Sequence, residues 1–221
     1  MAKRVITESV IRDMVGKGEK KLVLEPGSIV TPLAADLIQR NGIVIAETKR
    51  EPLPTPGPAQ PTQPPTGKPP ESGVVVIGSD HGGFHLKEAL RQYIRELGYQ
   101  VDDVGTFDEQ ACDYPDFAYA VAIAVSTGKA WRGIMIDGAG IGSAVVANKV
   151  PGVRAACCHN EFVARNAREH NDTNVLTLGS KVTGSEVCKE IVRIWLESWF
   201  SGGRHAKRVD KIRDVEQRFV K

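Results

Sequence analysis

The run Gly133 to Lys149, GIMIDGAGIGSAVVANK, holds the residues best suited to chemistry. Ile134, Met135 and Ile136 are a short apolar run, the pattern of a buried strand, and Asp137 follows at its C-terminal end. Then come Gly138, Ala139, Gly140, Ile141 and Gly142, and a helix-like run from Ser143. Strand, glycine loop and helix start together make an anion site. Backbone N–H groups point outward, glycines let a ligand approach, and the helix dipole favours negative charge. A carboxylate beside such a site is costly unless it has a task, so Asp137 is the first candidate for a catalytic group. The loop is not GxGxxG, because its sixth position is Ser143. It also follows the third strand of its unit, which argues against a dinucleotide site. Tight helix–strand packing is the structural alternative.

Other reactive residues lie on either side. Asp80 and His81 follow an earlier strand. Histidine serves as acid or base near neutrality, while Asp80 serves equally well as a turn cap. His170 and Asn171 end a helix, where the dipole favours a histidine without any function. His159 ends a strand. Arg204, His205, Lys207 and Arg208 form a basic cluster. Arg204 and Arg208, four apart on one helix face, either clamp a phosphate or belong to an ordinary charged surface. Taken together, arginines would hold a phosphate, backbone amides a developing oxyanion, and a carboxylate and a histidine would move protons. That set suits proton abstraction next to a carbonyl in a phosphorylated small molecule.

These residues need elements to position them. The chain has 221 residues, room for one full core and a small appendage. A formal charge of +2 gives no reason to expect a nucleic-acid partner. No apolar run approaches the ~20 residues of a membrane span, and the first residues lack a secretion signal, so a cytoplasmic chain is expected. Cys112, Cys157, Cys158 and Cys188 show no metal-ligand spacing and read as reduced packing residues.

Residues 1–48 read as a small ordered unit. Val10, Ile11, Met14 and Val15 share a helical face, Leu22 to Leu24 form a strand, and Pro26-Gly27 a turn. A second helix starts at Thr31-Pro32 and ends at Gly42, followed by a strand from Ile43 to Ile45. So small a unit buries little alone and must dock, on the main domain or on a partner. Residues 49–73 carry nine of the thirteen prolines and read as an extended spacer.

From residue 74 to 221 strands alternate with helices. Strands are expected at Val74 to Ile77, Tyr99 to Val104, Ile134 to Ile136, Val153 to Cys157 and Val175 to Leu178. Helices are expected at Phe84 to Leu97, Phe117 to Val125, from Ser143, Glu161 to Glu169, Glu186 to Trp199 and Arg204 to Phe219. Asp113 to Asp116 fall in a loop. The fold class is α/β, a doubly wound parallel five-stranded sheet of Rossmann- or flavodoxin-like order. A ligand then sits at the C-terminal strand ends, where the first strand's SDHGG and the third strand's DGAGIG meet.

Residues 74 to about 219 resemble the ribose-5-phosphate isomerase B family, which includes the galactose-6-phosphate isomerase subunits. The matching runs are IGSDHGGFHLKEAL, DVGT, DYPDFA, GIGSAVVANKVPGVRAA, AREHNDTNVLTLGS and GGRHAKRVDKI. The resemblance implies a homodimer or a pair of dimers, active sites built from two subunits, and no metal or cofactor. It implies interconversion of ribose 5-phosphate and ribulose 5-phosphate through a cis-enediolate. By position, Ser79, Asp80 and His81 would line the sugar. Residues 138 to 142 would give N–H groups to the enediolate. His170 would assist ring opening, Asn171 would hold a hydroxyl, and Arg204 and Arg208 would bind phosphate. Three departures stand out. Asp137 replaces the frequent cysteine base, while the glutamate other members carry six positions later is Ser143 here. Ala139 removes a common hydroxyl. Lys181 replaces a frequent arginine, keeping charge but losing the bidentate fork. Asp137 is thereby the expected base. The rival readings are an isomerase of a six-carbon sugar phosphate and a non-catalytic sugar-phosphate-binding or scaffold protein. The first 48 residues, especially GSIVTPLAADLIQRNGI, resemble segments of enzymes associated with bacterial microcompartments, which implies recruitment to a protein shell.

Overall fold

A computed structural model of the chain describes residues 5–24, 28–46 and 73–219. The proline-rich spacer, except its last residue, and the Pro26-Gly27 turn lie outside the described residues. The N-terminal unit contains β1 (Val5–Ile6), α1 (Glu8–Gly16), β2 (Lys21–Val23), β3 (Ile29–Val30), α2 (Pro32–Arg40) and β4 (Val44–Ala46). β1 pairs with β3 and β2 with β4, both parallel. Pro32 opens α2, where its missing N–H costs nothing, and Thr31 Oγ1 accepts from Ala34 N at 3.4 Å. Gly42, at φ +61°, turns the chain out of α2. Ile6, Ile11, Met14, Leu22, Ala34, Ile38 and Ile43 form the unit's own core.

The main domain runs β5 (Val74–Ser79), α3 (Phe84–Glu96), β6 (Gln100–Asp103), α4 (Tyr114–Ser126), β7 (Arg132–Asp137), α5 (Ile141–Ala147), β8 (Ala155–Cys157), α6 (Glu161–Asn171), β9 (Val175–Gly179), α7 (Ser185–Glu197) and α8 (Ala206–Phe219). All pairings are parallel, in the order β6-β5-β7-β9-β8. The last two strands are exchanged relative to the flavodoxin order. β9, buried at every position, takes the inner place; β8, only three residues and half-buried, takes the edge. β5 and β7 flank the switch in winding direction, as the doubly wound reading requires.

Apolar residues alternate between the two faces of the sheet. Ile77, Ile134, Ile136, Leu176 and Leu178 pack against α3, α6 and α7. Val76 and Met135 pack against α4 and α5. Val5 and Ile29 join this second cluster, so the N-terminal unit rests on the main domain through α4. Two helix starts differ from the sequence reading. α4 begins at Tyr114, with Pro115 in its first turn, so DYPD is mostly helix rather than loop. α5 begins at Ile141, inside the glycine run. Among the described residues no helix is long and apolar enough to cross a membrane.

Arg132 opens β7 at the opposite end of the sheet from the glycine loop, and is 1% exposed. Its Nη1 donates to Trp195 O at 2.5 Å and Leu196 O at 2.8 Å, and its Nη2 to Ser198 O at 2.9 Å. These are carbonyls at the end of α7, which have no partner within the helix. The guanidinium lies 4.1 Å from the centre of the Trp131 ring and 5.1 Å from that of Trp195. Arg132→Met should strand the three carbonyls and lower the stability of the chain by about 3 kcal/mol. Urea unfolding checks this; a loss under about 1 kcal/mol would show that the carbonyls find other donors.

Candidate active site

Three loops meet at the C-terminal ends of β5, β7 and β9. Asp80 N donates to Ile136 O at 3.1 Å, strapping the end of β5 to β7. Asp80 Oδ1 accepts from Gly83 N at 2.9 Å and caps a short 3-10 turn, His81–Gly83. A side chain at Gly83 would put Cβ 2.6 Å from Ile136 O, so this turn needs glycine. From the β9 side, Ser180 N donates to Asp137 O at 2.8 Å, and Ser180 Oγ to Gly82 O at 2.9 Å. Lys181 is exposed, and its aliphatic stem lies over Gly138. Gly140, at φ +79°, presses against Leu178 and Gly179.

Asp137 is 4% exposed and turns inward on its own loop. Its Oδ1 accepts from Ala139 N at 2.7 Å and from Gly140 N. Its Oδ2 accepts from Ser143 N at 3.1 Å and Ser143 Oγ at 2.5 Å. A carboxylate offers about four acceptor positions, and here four donors fill them. The negative charge also sits at the start of α5, where the dipole favours it. Asp137 therefore occupies the anion site that the sequence reading left for a substrate. The amides of Ala139 and Gly140 are engaged; among the described residues those of Gly138, Ile141 and Gly142 donate to nothing. The sequence reading missed Ser143 as the partner of Asp137. The signal was a serine at the third helical position, as in a cap.

The remaining residues at this end are mixed. His81 is exposed, and its Nδ1 lies 3.2 Å from Cys112 N and 3.1 Å from Cys112 O, accepting from the one or donating to the other according to its tautomer. Burial pushes the half-buried Cys112 thiol up. Ser79, expected to line the sugar, is wholly buried, and its hydroxyl has no partner among the described residues. Tyr114, absent from the sequence reading, lies so close over Gly142 that a Cβ there would meet its ring at 2.6 Å. A cavity of about 170 Å³ adjoins His81 and Cys112, and Ser9 of the N-terminal unit forms part of its wall.

His170, Asn171, Arg204 and Arg208 are elsewhere. α6 runs antiparallel to the strands, so its C-terminal residues His170 and Asn171 lie at the N-terminal edge of the sheet. Arg154, just before β8, donates to Asn171 O at 3.1 Å, and Ser201 N to Glu169 O at 2.9 Å. His170 stacks on His205 with ring centres 4.0 Å apart. Arg204 Nε donates to His205 Nε2 at 3.3 Å. Burial, followed by the charges of His170, Arg204 and Arg208, holds His205 below its ordinary value. Arg204 belongs to a 3-10 turn, Gly203–His205, and Arg208 to the first turn of α8, so the two do not share one helix as expected. β7 spans the distance between the two groups, and its six residues extend ~17 Å at ~3.3 Å per step. Within one chain the structure brings Asp80, His81, residues 137–142 and Lys181 together, and keeps His170, Asn171, Arg204 and Arg208 apart from them.

Residues 75–212 match the family model described as Ribose/Galactose Isomerase. The chain is 44% identical over 144 residues to ribose-5-phosphate isomerase B of Escherichia coli, covering 65% of this chain and 97% of that protein. It is 42% identical over 140 residues to D-erythrulose-4-phosphate isomerase of Pectobacterium atrosepticum, covering 62% and 91%. The solved structure of Clostridium thermocellum ribose-5-phosphate isomerase B superposes with a TM-score of 0.66 at 48% identity, covering 66% of this chain and 99% of that one. With a parallel five-stranded sheet and crevice loops at the strand ends where that family model matches, this chain belongs to the ribose/galactose isomerase family of sugar phosphate isomerases.

Proposed function

We propose that the chain interconverts ribose 5-phosphate and ribulose 5-phosphate through a cis-enediolate, in sites shared between two copies. One observation carries the shared site: the expected phosphate and ring-opening residues stand at the opposite end of the sheet from the proton-transfer loops. A single copy cannot bring them to one sugar five carbons long. A second copy, presenting its His170, Asn171, Arg204 and Arg208 over the first copy's crevice, completes each site. Arg204 and Arg208 bind the phosphate and His170 assists ring opening. Asn171 holds a hydroxyl, and the free amides of Gly138, Ile141 and Gly142 face the developing oxyanion. Lys181 adds positive charge at the rim. A carboxylate takes the C2 proton. Asp137 does so only by giving up one of the four hydrogen bonds it makes in the structure.

The name of the Pectobacterium relative supports a four-carbon sugar phosphate as the nearest alternative substrate. A panel of tetrose, pentose and hexose phosphates decides this. Fastest turnover is expected with ribose 5-phosphate, and faster turnover of another sugar would reassign the substrate. For residues 5–46 we propose docking to a protein shell, supported by Val23 and Val44, exposed on one face of the β2–β4 pair. Residues 1–73 fused to a fluorescent protein should form foci in shell-forming cells; diffuse fluorescence would count against docking.

The shared site predicts complementation. His81→Ala and Arg208→Ala should each be nearly inactive alone. Unfolded together and refolded, half of the dimers are mixed and carry one intact site, which restores about a quarter of full activity. No recovery in dimers shown to be mixed would place both residues in the same chain's site.

A further inference from the structure

We infer that Asp80, rather than Asp137, is the base that moves the substrate's proton, and that Asp137 holds the loop. The inference rests on the isomerase reading above and assigns one of its steps.

The geometry sets Asp137, Lys181 and Cys112 aside. The two oxygens of Asp137 already accept four hydrogen bonds, two of them from a serine that is itself fully buried. To take a proton, Asp137 would have to strip donors from the first turn of α5. His81 Nδ1 lies 3.2 Å from Cys112 N and 3.1 Å from Cys112 O, so its tautomer decides whether Nε2 is a donor or an acceptor. Lys181 as an ammonium has no acceptor. Cys112 stays a thiol, because burial raises it.

Asp80 differs from all of these. Its Oδ1 accepts from Gly83 N at 2.9 Å and the Gly82 amide also acts on the carboxylate, but among the described residues no side chain hydrogen-bonds to it. The residue is 8% exposed and fixed by its own amide to Ile136 O, one residue before Asp137. Asp80 thus stands at the same crevice as the unengaged amides. Burial raises its carboxyl above the usual range, opposed by the Gly83 amide and by His81 and reinforced by the charge of Asp137. A carboxylate raised in this way is a stronger base. The filled anion site beside it therefore contributes to basicity next door.

The step balances. In the open-chain aldose the C2–H bond breaks, and its proton forms an O–H bond on Asp80 Oδ2. The electron pair becomes the C1=C2 double bond, and the carbonyl pair moves onto O1, facing the amides of Gly138, Ile141 and Gly142. The O2 proton then passes to O1. Asp80 returns its proton to C1, which leaves the ketose and a regenerated carboxylate.

The test uses the full chain and ribose 5-phosphate deuterated at C2, following loss of deuterium to water, with calorimetry for binding of the same sugar. Asp80→Asn keeps an oxygen for Gly83 N, so the turn survives. It should slow exchange by about 10²–10⁴-fold while binding within about tenfold of the unsubstituted chain. Asp80→Ser, which also caps, should behave alike. Asp137→Asn should lower the melting temperature and, where folded, slow exchange less than Asp80→Asn does. Exchange within about threefold of the unsubstituted chain in either folded Asp80 variant overturns the assignment while the isomerase reading stands. No exchange by the unsubstituted chain, with this sugar or any of the tetrose and hexose phosphates, defeats the isomerase reading and the assignment with it.

Discussion

A buried charge persists only if donors surround it, and the reactive end of this sheet depends on one such arrangement. Asp137 ends the fully buried strand β7, and Ala139, Gly140 and Ser143 supply its donors. That network folds the glycine loop back over β9 and anchors the first turn of α5. It also decides which amides remain for a ligand. The left-handed backbone at Gly140 and the close approach at Gly179 make the path possible. The same residues that read as an open anion site are thus a closed one, filled from within. The unengaged amides of Gly138, Ile141 and Gly142 and the carboxylate of Asp80 stand beside it.

The sheet does a second job as a spacer. β7 carries Asp137 at one end and Arg132 at the other. The Arg132 end holds α7 and the segment that leads to Arg204, while Arg154 and Arg168 both pair with Asp172 beside Asn171. This ion-pair knot holds the C-terminal end of α6, while Asn166 Nδ2, 2.8 Å from Nδ1, and the stacked His205 ring hold His170. The result is a sheet that holds two groups of polar side chains at opposite ends. Residues 5–46 sit on α4 close to one of these edges, with Ser9 at the wall of the cavity beside His81.

Much of this was legible in residue order. The apolar runs of β5, β7 and β9 and the spacing in α3 and α7 mark a covered parallel sheet, and the switch between β5 and β7 marks the crevice. Other features were hidden for physical reasons. β1 and β3 have two residues each, too few for any periodicity. Gly142 masks the start of α5, and Pro115 the start of α4, though both positions suit a first turn. The exchange of β8 and β9 turns on which strand buries better, a comparison across the sheet rather than along the chain. The direction of the Asp137 lone pairs depends on backbone angles in the glycine loop, which residue types do not specify. The separation of His170, Arg204 and Arg208 from Asp137 follows from helix direction, visible only once α6 and α7 are set against their strands.

The most direct test is a crystal structure of the chain with ribulose 5-phosphate bound. The account predicts C1 and C2 against Asp80 Oδ2, Asp137 still holding Ala139, Gly140 and Ser143, and the phosphate on Arg204 and Arg208 of the partner subunit. Asp137 released from its loop and in contact with C2, or a phosphate bound far from those arginines, would contradict it.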